Sequence, residues 1–184
     1  MAEQLGDPTE LSEALNALSN VYGGHGLFRE RIQLELRRLD LINNPDFTDS
    51  IKRIRVLNQA GAALVYVGEY DEAMPHLLEA ERLASQIQDL DQLLIVLRVQ
   101  SFCLYLQDQW DAVLKIEEKW RALEKQYPKF FRLVLGSCFQ IALNASVHAR
   151  RGEMEPAAAL REEARILMMG LDGSEARFGR DNYY

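Results

Sequence analysis

A short turn that recurs along the chain constrains the fold more than any other feature of the sequence. The segment VGEYDEA at 67–73 contains a glycine, then an aromatic residue, then an alanine, and helical patterns flank it on both sides. Similar turns are HGLFRER at 25–31, QDQWDAV at 107–113 and RGEMEPA at 151–157. Successive copies lie 40 to 44 residues apart. A period of this length indicates an array of four repeats.

Each turn joins two segments with helical periodicity, which we call helix A and helix B. In the second repeat the apolar and small residues recur at three- and four-residue spacing: Ile54, Leu57, Gly61, Leu64 and Val65 on helix A, and Ala73, Leu77, Leu78, Ala80 and Leu83 on helix B. We expect Gly68 and Gly152 to end their A helices with a positive φ. The small side chains of Ala73 and Ala80 allow helices A and B to pack closely. Each repeat is therefore predicted to be an antiparallel hairpin.

The pattern predicts eight helices and no strand. Their expected ranges are 8–23, 28–42, 48–67, 71–88, 90–107, 110–125, 129–151 and 154–169. The four repeats are expected at about 8–44, 48–88, 90–126 and 129–170, within an array over 1–171 that is followed by a tail or the start of a further helix at 172–184. Because one hairpin cannot bury its apolar face alone, such repeats must stack. The predicted fold is all-α, a right-handed superhelix of four antiparallel helical hairpins.

Roughly residues 8–169 resemble the tetratricopeptide repeat (TPR) family. The second repeat matches the family's signature at eight positions: Leu57, Gly61, Leu64, Gly68, Tyr70, Ala73, Leu77 and Ala80. Arg31 and Arg38 depart from the pattern, because small residues are expected there, and Val113 replaces an alanine. The period also exceeds the family's usual length of about 34 residues, as in longer-repeat TPR arrays. The sequence is similar to TPR arrays of bacterial signalling and regulatory proteins, which implies a sensing or scaffolding role.

Composition and charge narrow the class of protein. Apolar residues make up 48% of the 184 residues, enough for a continuous core, and a net charge of −7 disfavours a nucleic-acid surface. Cys103 and Cys138 match no disulfide framework or zinc motif, so we interpret them as buried side chains in a reducing compartment. No apolar run reaches the roughly 18 residues of a membrane span, and the acidic N-terminus is unlike a signal peptide. We expect a soluble, cytoplasmic protein with no membrane or nucleic-acid partner.

The inward-facing positions of the A helices are the predicted binding site, because these helices line the concave face of a TPR array. They combine amides, arginines and aromatic rings: Asn16, Asn20, Arg55, Asn58, Tyr66, Arg98, Phe102, Tyr105, Phe139 and Arg150. Arginines suit the carboxylates of an acidic or C-terminal peptide, and aromatic rings suit apolar side chains. The competing interpretation is that the arginines pair with glutamates of neighbouring helices and that the rings belong to the core.

No pattern in the sequence indicates catalysis, a metal site or a cofactor. His25, His76 and His148 fall in different repeats, and no pair of them has the four-residue spacing of a helical metal site. The glycines of YGGHG at 22–26 lack the lysine and the preceding strand of a phosphate-binding loop. We therefore expect a non-enzymatic scaffold that needs no cofactor and binds a protein or peptide.

Self-assembly is the alternative function. Residues 3–15 resemble residues 85–97, so the chain opens with what looks like the end of a further B helix, its linker and the next A helix. On this interpretation the chain is a segment of a longer array. Otherwise it is an array whose end helices pack on other copies or on a larger parent protein.

Overall fold

Eight α-helices make up almost all of the described part of the chain. The computed structural model describes residues 7–128 and 136–170. The helices are α1 (Pro8–Gly24), α2 (Phe28–Leu41), α3 (Ser50–Val67), α4 (Tyr70–Gln86), α5 (Leu90–Leu106), α6 (Trp110–Gln126), α7 (Gly136–Arg150) and α8 (Met154–Gly170). The described residues contain no strand. The prediction of an all-α chain is confirmed.

The helix bounds follow the sequence pattern closely. Every predicted bound that falls on described residues agrees with the structure to within two residues. The predicted start of the seventh helix at 129 and the predicted tail at 172–184 lie outside the described residues. Periodicity and turn chemistry are local properties of the chain, and they suffice to locate these helices.

Aspartates cap the first two A helices. Asp7 accepts a hydrogen bond from the backbone N–H of Thr9 at 2.7 Å, and Asp49 accepts one from the backbone N–H of Lys52 at 2.9 Å. The first N–H groups of a helix have no partner within the helix, so a side-chain acceptor at this position stabilises the helix start by about 1 kcal/mol.

All four hairpin turns contain a residue in the left-handed conformation. These residues are Gly26 (φ 73°), Gly68 (φ 89°), Asp108 (φ 55°) and Gly152 (φ 78°). They occupy one repeat position, because they follow one another by 42, 40 and 44 residues. The predicted positive φ at Gly68 and Gly152 is confirmed. The left-handed residue reverses the chain direction between helix A and helix B.

The chain divides into two compact units, and the boundary lies between Val99 and Gln100 within α5. In the N-terminal unit α1 packs on α2, α2 on α3, and α3 on α4. In the C-terminal unit α6 packs on α7 and α7 on α8. One core of the C-terminal unit joins residues of α5, α6 and α7: Phe102, Leu104, Tyr105, Val113, Leu143 and Val147. Helices adjacent in sequence are therefore adjacent in space within each unit.

The hairpin of α3 and α4 leaves no space for a side chain at Gly61. A Cβ atom at Gly61 would lie 2.7 Å from the side chain of Leu77, which is fully buried. Ala73 and Ala80 of α4 are also fully buried. Small residues at these positions leave the space that Leu77 occupies between the two helices.

In the hairpin of α1 and α2, one pair of core residues has the small residue on helix A and the large one on helix B, which is the reverse of the matching pair in the hairpin of α3 and α4. Ser12 occupies the repeat position of Ile54, and Arg38 occupies that of Ala80, in each case 42 residues earlier in the chain. A small residue on helix A thus accommodates a long one on helix B. Arg38 is only 2% exposed, and its Nε donates a hydrogen bond to Ser12 Oγ at 3.3 Å. The departure from the TPR pattern at Arg38 is therefore a change in the core and not on the surface.

A second polar pair completes this core. Ser19 stands for Gly61 and Glu35 stands for Leu77 in the repeat register, and the Ser19 hydroxyl donates to the Glu35 carboxylate. Arg38 Nη1 donates to Glu35 Oε2 at 2.7 Å and to Gln59 Oε1 at 2.6 Å. Because Gln59 belongs to α3, the network connects three successive helices.

Candidate ligand-binding site

The structure places the ten predicted binding residues on A helices of both units. The N-terminal unit contains Asn16 and Asn20 on α1, Arg55, Asn58 and Tyr66 on α3, and Arg98 on α5. The C-terminal unit contains Phe102 and Tyr105 on α5, and Phe139 and Arg150 on α7. The exposed members are Arg55, Tyr66, Phe139 and Arg150. Asn58 is buried, and the others are half-buried.

Two asparagines at one repeat position have unpaired carbonyl groups. Asn16 on α1 and Asn58 on α3 are 42 residues apart, which is the spacing of the first two repeats. The Oδ1 atom of each is buried and has no hydrogen-bond partner within the described chain. A buried acceptor without a partner costs about 1–3 kcal/mol. Each oxygen has almost no surface open to solvent in the free chain, so a ligand donor reaches it only after the asparagine side chain rotates. A hydrogen bond formed in that way removes this cost.

Charged and polar groups lie within one helical turn of these asparagines. Asn20 follows Asn16 by four residues, and the exposed Arg55 precedes Asn58 by three, so each lies on the same side of its helix as its neighbour. Lys52 Nζ of α3 lies 3.9 Å from Glu13 Oε1 of α1, so side chains of the two A helices reach each other. This exposed ion pair contributes little to stability.

Tyr66 at the end of α3 stacks on Phe28 at the start of α2. The ring centroids are 5.5 Å apart and the ring planes differ by 18°. Tyr66 nevertheless remains 56% exposed. Stacked rings stabilise a protein by about 0.5–1.5 kcal/mol beyond the area they bury. Tyr66 therefore contributes both to the packing of the N-terminal unit and to its surface.

The four predicted residues of the C-terminal unit form two side-chain pairs. The rings of Phe102 and Phe139 meet edge to face with centroids 6.0 Å apart, and the Arg150 guanidinium lies 5.2 Å from the centroid of the Tyr105 ring. Phe102 and Tyr105 also pack against the core around Val113. The two rings therefore belong partly to the core and partly to a surface that carries a cation.

The C-terminal unit also buries polar side chains that the sequence pattern does not single out. Gln140 is fully buried, and its Nε2 donates to Ser101 Oγ at 2.8 Å and to Asn144 Oδ1 at 3.0 Å. Its own Oε1 has no partner within the described residues. Burial raises the pKa of Glu117, although Arg121 and a hydrogen bond with Asn144 act in the opposite direction. The sequence feature that could have indicated this buried cluster is the pair of amides, Gln140 and Asn144, four residues apart on α7.

Ion pairs hold the turn between α7 and α8. His148 Nδ1 lies 2.5 Å from Glu153 Oε2, and Arg151 Nε donates to Glu153 Oε1 at 3.0 Å. The hydrogen bond with His148 lowers the pKa of Glu153. Arg151 Nη1 also donates to Asp111 in the first turn of α6 at 2.7 Å. An open cavity of about 450 Å³ lies here, lined by Asp108, Trp110, Asp111, Arg151 and Glu153.

Residues 7–128 and 136–170 contain neither a metal-binding cluster nor a membrane-spanning helix. Within these ranges, no group of three or more His, Cys, Asp or Glu side chains is arranged to hold a metal ion. None of the helices described there combines the length and the apolar character that crossing a bilayer requires.

Comparison with known proteins assigns no family to the chain. No protein-family model matches it, and no curated protein sequence matches it either. The TPR resemblance rests on the repeat pattern alone.

Proposed function

We propose that the chain is a TPR-like array, a right-handed superhelix of four hairpins, that binds a protein or peptide segment without enzymatic activity. The observation that carries the proposal is the pair of buried, unpaired carbonyl groups of Asn16 and Asn58 at one repeat position. The context that the resemblance implies is a cytoplasmic bacterial signalling or regulatory protein. An acceptor kept unpaired on successive A helices costs stability, and ligand binding is a reason to retain it.

An extended peptide segment supplies the donors that both asparagines lack. In an extended chain the N–H groups on one side recur every two residues, about 6.6–7 Å apart. Side chains of α1 and α3 reach each other, because Lys52 Nζ lies 3.9 Å from Glu13 Oε1, so one segment of a few residues spans these two A helices. Main-chain donors are present in every sequence except at proline. The asparagines therefore provide affinity for an extended backbone, whatever its side chains.

Neighbouring side chains provide the preference among peptides. The exposed guanidinium of Arg55 lies one turn from Asn58 and suits a carboxylate, either an acidic side chain or a C-terminus. The exposed part of the Tyr66 ring suits an apolar side chain. We therefore propose an extended acidic peptide as the ligand class of the N-terminal unit.

A peptide selected from a random display library on the full-length chain tests the proposal. Its affinity is measured by calorimetry for the natural chain, for Asn16→Leu and for Asn58→Leu. Leucine keeps the branched shape and the number of heavy atoms of asparagine but accepts no hydrogen bond, so each variant should bind about tenfold more weakly. Because each Oδ1 is unpaired in the free chain, neither replacement should lower the free energy of unfolding.

Asn144→Leu is the control, because Asn144 is also a buried asparagine of an A helix but its Oδ1 accepts a hydrogen bond from Gln140. This variant should lower the stability and leave the peptide affinity unchanged. The proposal fails if Asn16→Leu and Asn58→Leu bind the selected peptide as tightly as the natural chain. It also fails if no peptide is selected by a natural chain that is folded.

A further inference from the structure

The packing of α3 on α2 provides a reference for how a helix A covers the preceding helix B. Gln59 of α3 accepts a hydrogen bond from Arg38 of α2 at 2.6 Å, so this side of α3 faces α2. Val56, Ala60 and Ala63 lie on the same side as Gln59, and each is only 1% exposed. An A helix in the interior of the chain therefore buries these positions.

The same positions of α1 are exposed. Ala14, Leu18 and Val21 precede Val56, Ala60 and Ala63 by 42 residues. Leu18 is 41% exposed and Val21 is 53% exposed. We call the exposed stripe of Ala14, Ala17, Leu18 and Val21 the α1 face.

The last described helix exposes the complementary surface. One stripe of α8 is exposed over its whole length: Met154, Ala158, Arg161, Arg165 and Met168. The residues 84 positions earlier on α4 are all buried or half-buried: Tyr70, Met74, Leu77, Glu81 and Ala84. Met154 and Met168 are 66% and 64% exposed. We call this stripe of α8 the α8 face.

We propose that copies of the chain associate head to tail, with the α8 face of one copy on the α1 face of another. The contact reproduces the way in which α3 covers α2. It buries apolar side chains that are otherwise in water: Leu18 and Val21 of one copy, and Met154 and Met168 of the other. This association does not depend on the proposed peptide site.

The repeat register and the charges of the two faces together favour a second copy as the occupant. The α8 face contains Arg161 and Arg165, whereas the first half of α1 contains Glu10 and Glu13 and the whole of α1 contains no Lys or Arg. Helices A and B pack antiparallel, so the C-terminal half of α8 lies opposite the N-terminal half of α1. Arg38 of α2 and Gln59 of α3 correspond in the repeat register to Ala164 of α8 and Ala17 of α1. Arg165 therefore lies opposite the turn of α1 that contains Glu13, and within its own helix it also pairs with Glu162 at 2.6 Å. Opposite charges of this kind favour this orientation over the pairing of identical faces.

The interface involves two different surfaces of the chain and is therefore heterologous. One helix face on each side buries less area than a standard stable interface, so we expect weak, concentration-dependent association. Sedimentation velocity of the full-length chain from about 5 μM to about 1 mM covers the range expected for such a contact. The weight-average mass should rise above the 21.1 kDa of one chain. A natural chain that stays monomeric throughout overturns the proposal.

Variants of the two faces test the contact. Val21→Asp and Met168→Asp each place a charge in the proposed interface and should remain monomeric throughout the concentration series. Leu78→Asp is the matched control, because Leu78 has the same exposure as Val21, 53%, and lies outside both faces. It should associate as the natural chain does. Association of either face variant by itself, or loss of association in the control, contradicts the proposal.

A mixture of the two face variants distinguishes head-to-tail association from the pairing of identical faces. The Val21→Asp chain retains an intact α8 face, and the Met168→Asp chain retains an intact α1 face. An equimolar mixture should therefore form dimers and nothing larger, although each variant alone is monomeric. A mixture that stays monomeric overturns the proposal.

Discussion

Arg38 and Glu35 form an ion pair inside the N-terminal unit, with Nη1 2.7 Å from Oε2 and the side chains only 2% and 1% exposed. Removing two charges from water costs several kcal/mol per ion, so such a pair requires good geometry and further hydrogen bonds. Ser12, Ser19 and Gln59 provide these bonds. The network takes the place of the apolar contacts of the next hairpin, and this explains how the core tolerates Arg38 at a position that favours small residues.

Truncation of Arg38 should strongly destabilise the chain. Arg38→Ala leaves the Glu35 carboxylate buried without its cation, and we expect the free energy of unfolding to fall by about 3–5 kcal/mol. Urea denaturation followed by circular dichroism measures this change. A loss below about 1 kcal/mol would show that Glu35 is not held in the buried position.

Replacing the whole network should restore stability. The fourfold variant Ser12→Ile, Ser19→Gly, Glu35→Leu and Arg38→Ala installs the residues of the second hairpin at the same repeat positions. Exchanging a buried ion pair for well-packed apolar residues is often neutral or stabilising by about 1–4 kcal/mol. We therefore expect stability equal to or above that of the natural chain. A fourfold variant less stable than Arg38→Ala would contradict the equivalence of the two hairpins.

Gly61→Ala should destabilise the hairpin of α3 and α4. The added Cβ would lie 2.7 Å from Leu77 Cγ and Cδ2, and overpacking of a core typically costs about 1–3 kcal/mol. Gly24→Ala is the matched control, because no atom outside its own helix lies within 4 Å of the added Cβ. Alanine is the better helix former by about 1 kcal/mol, so the control should be neutral or stabilising. Thermal denaturation of both variants measures the difference.

Glu117→Gln should make the stability less dependent on pH. Burial raises the pKa of the Glu117 carboxyl in the folded chain above its ordinary value of 4.5. The folded state therefore binds more protons than the unfolded state in the window above pH 4.5, and stability falls as the pH rises through this window. At neutral pH the glutamine variant should be more stable than the natural chain, and the difference should disappear below pH 4.5.

In the Glu117→Gln variant, Arg121 still has another ion-pair partner. Arg121 retains a bidentate ion pair with Glu163 at 2.6 and 2.8 Å when Glu117 is neutral. Glu118→Gln is the control, because Glu118 is the exposed neighbour on the same helix, and surface substitutions usually change stability by less than about 0.5 kcal/mol. Urea denaturation at a series of pH values tests both variants. If the difference in stability between Glu117→Gln and the natural chain does not change with pH, the raised pKa of Glu117 is contradicted.

Asp108→Gly should stabilise the third hairpin turn. Asp108 has φ 55°, whereas the same repeat position in the other three turns is a glycine. A side chain in the left-handed region costs about 1–2 kcal/mol, less for aspartate, and glycine loses more backbone entropy on folding. We expect a net gain of about 0.5 kcal/mol in the free energy of unfolding. Gly68→Asp should lower the free energy of unfolding. If both variants change the stability in the same direction, the two turns do not share one geometry.

Local features of the sequence were sufficient to predict the helices and their turns. The positive φ at Gly68 and Gly152 and the helix bounds depend on residues within a few positions of each turn. The chemistry of the candidate site was also visible, because the types and spacing of the residues on the A helices are sequence properties. The sequence did not show which of these residues the fold brings together. Phe102 meets Phe139, and Arg150 meets Tyr105, through the packing of α5 and α7.

The sequence alone therefore determined the elements of this protein, and tertiary structure decided the environment of its polar residues. Periodicity specifies one face of a helix, but it does not specify whether a polar side chain at the edge of that face meets water or another helix. Arg38 is buried because Ser12, 26 residues away, leaves space for it. Asn58 is buried without a partner for its Oδ1. Both outcomes depend on contacts between helices that are distant in sequence, and these contacts set the free energy of each polar group.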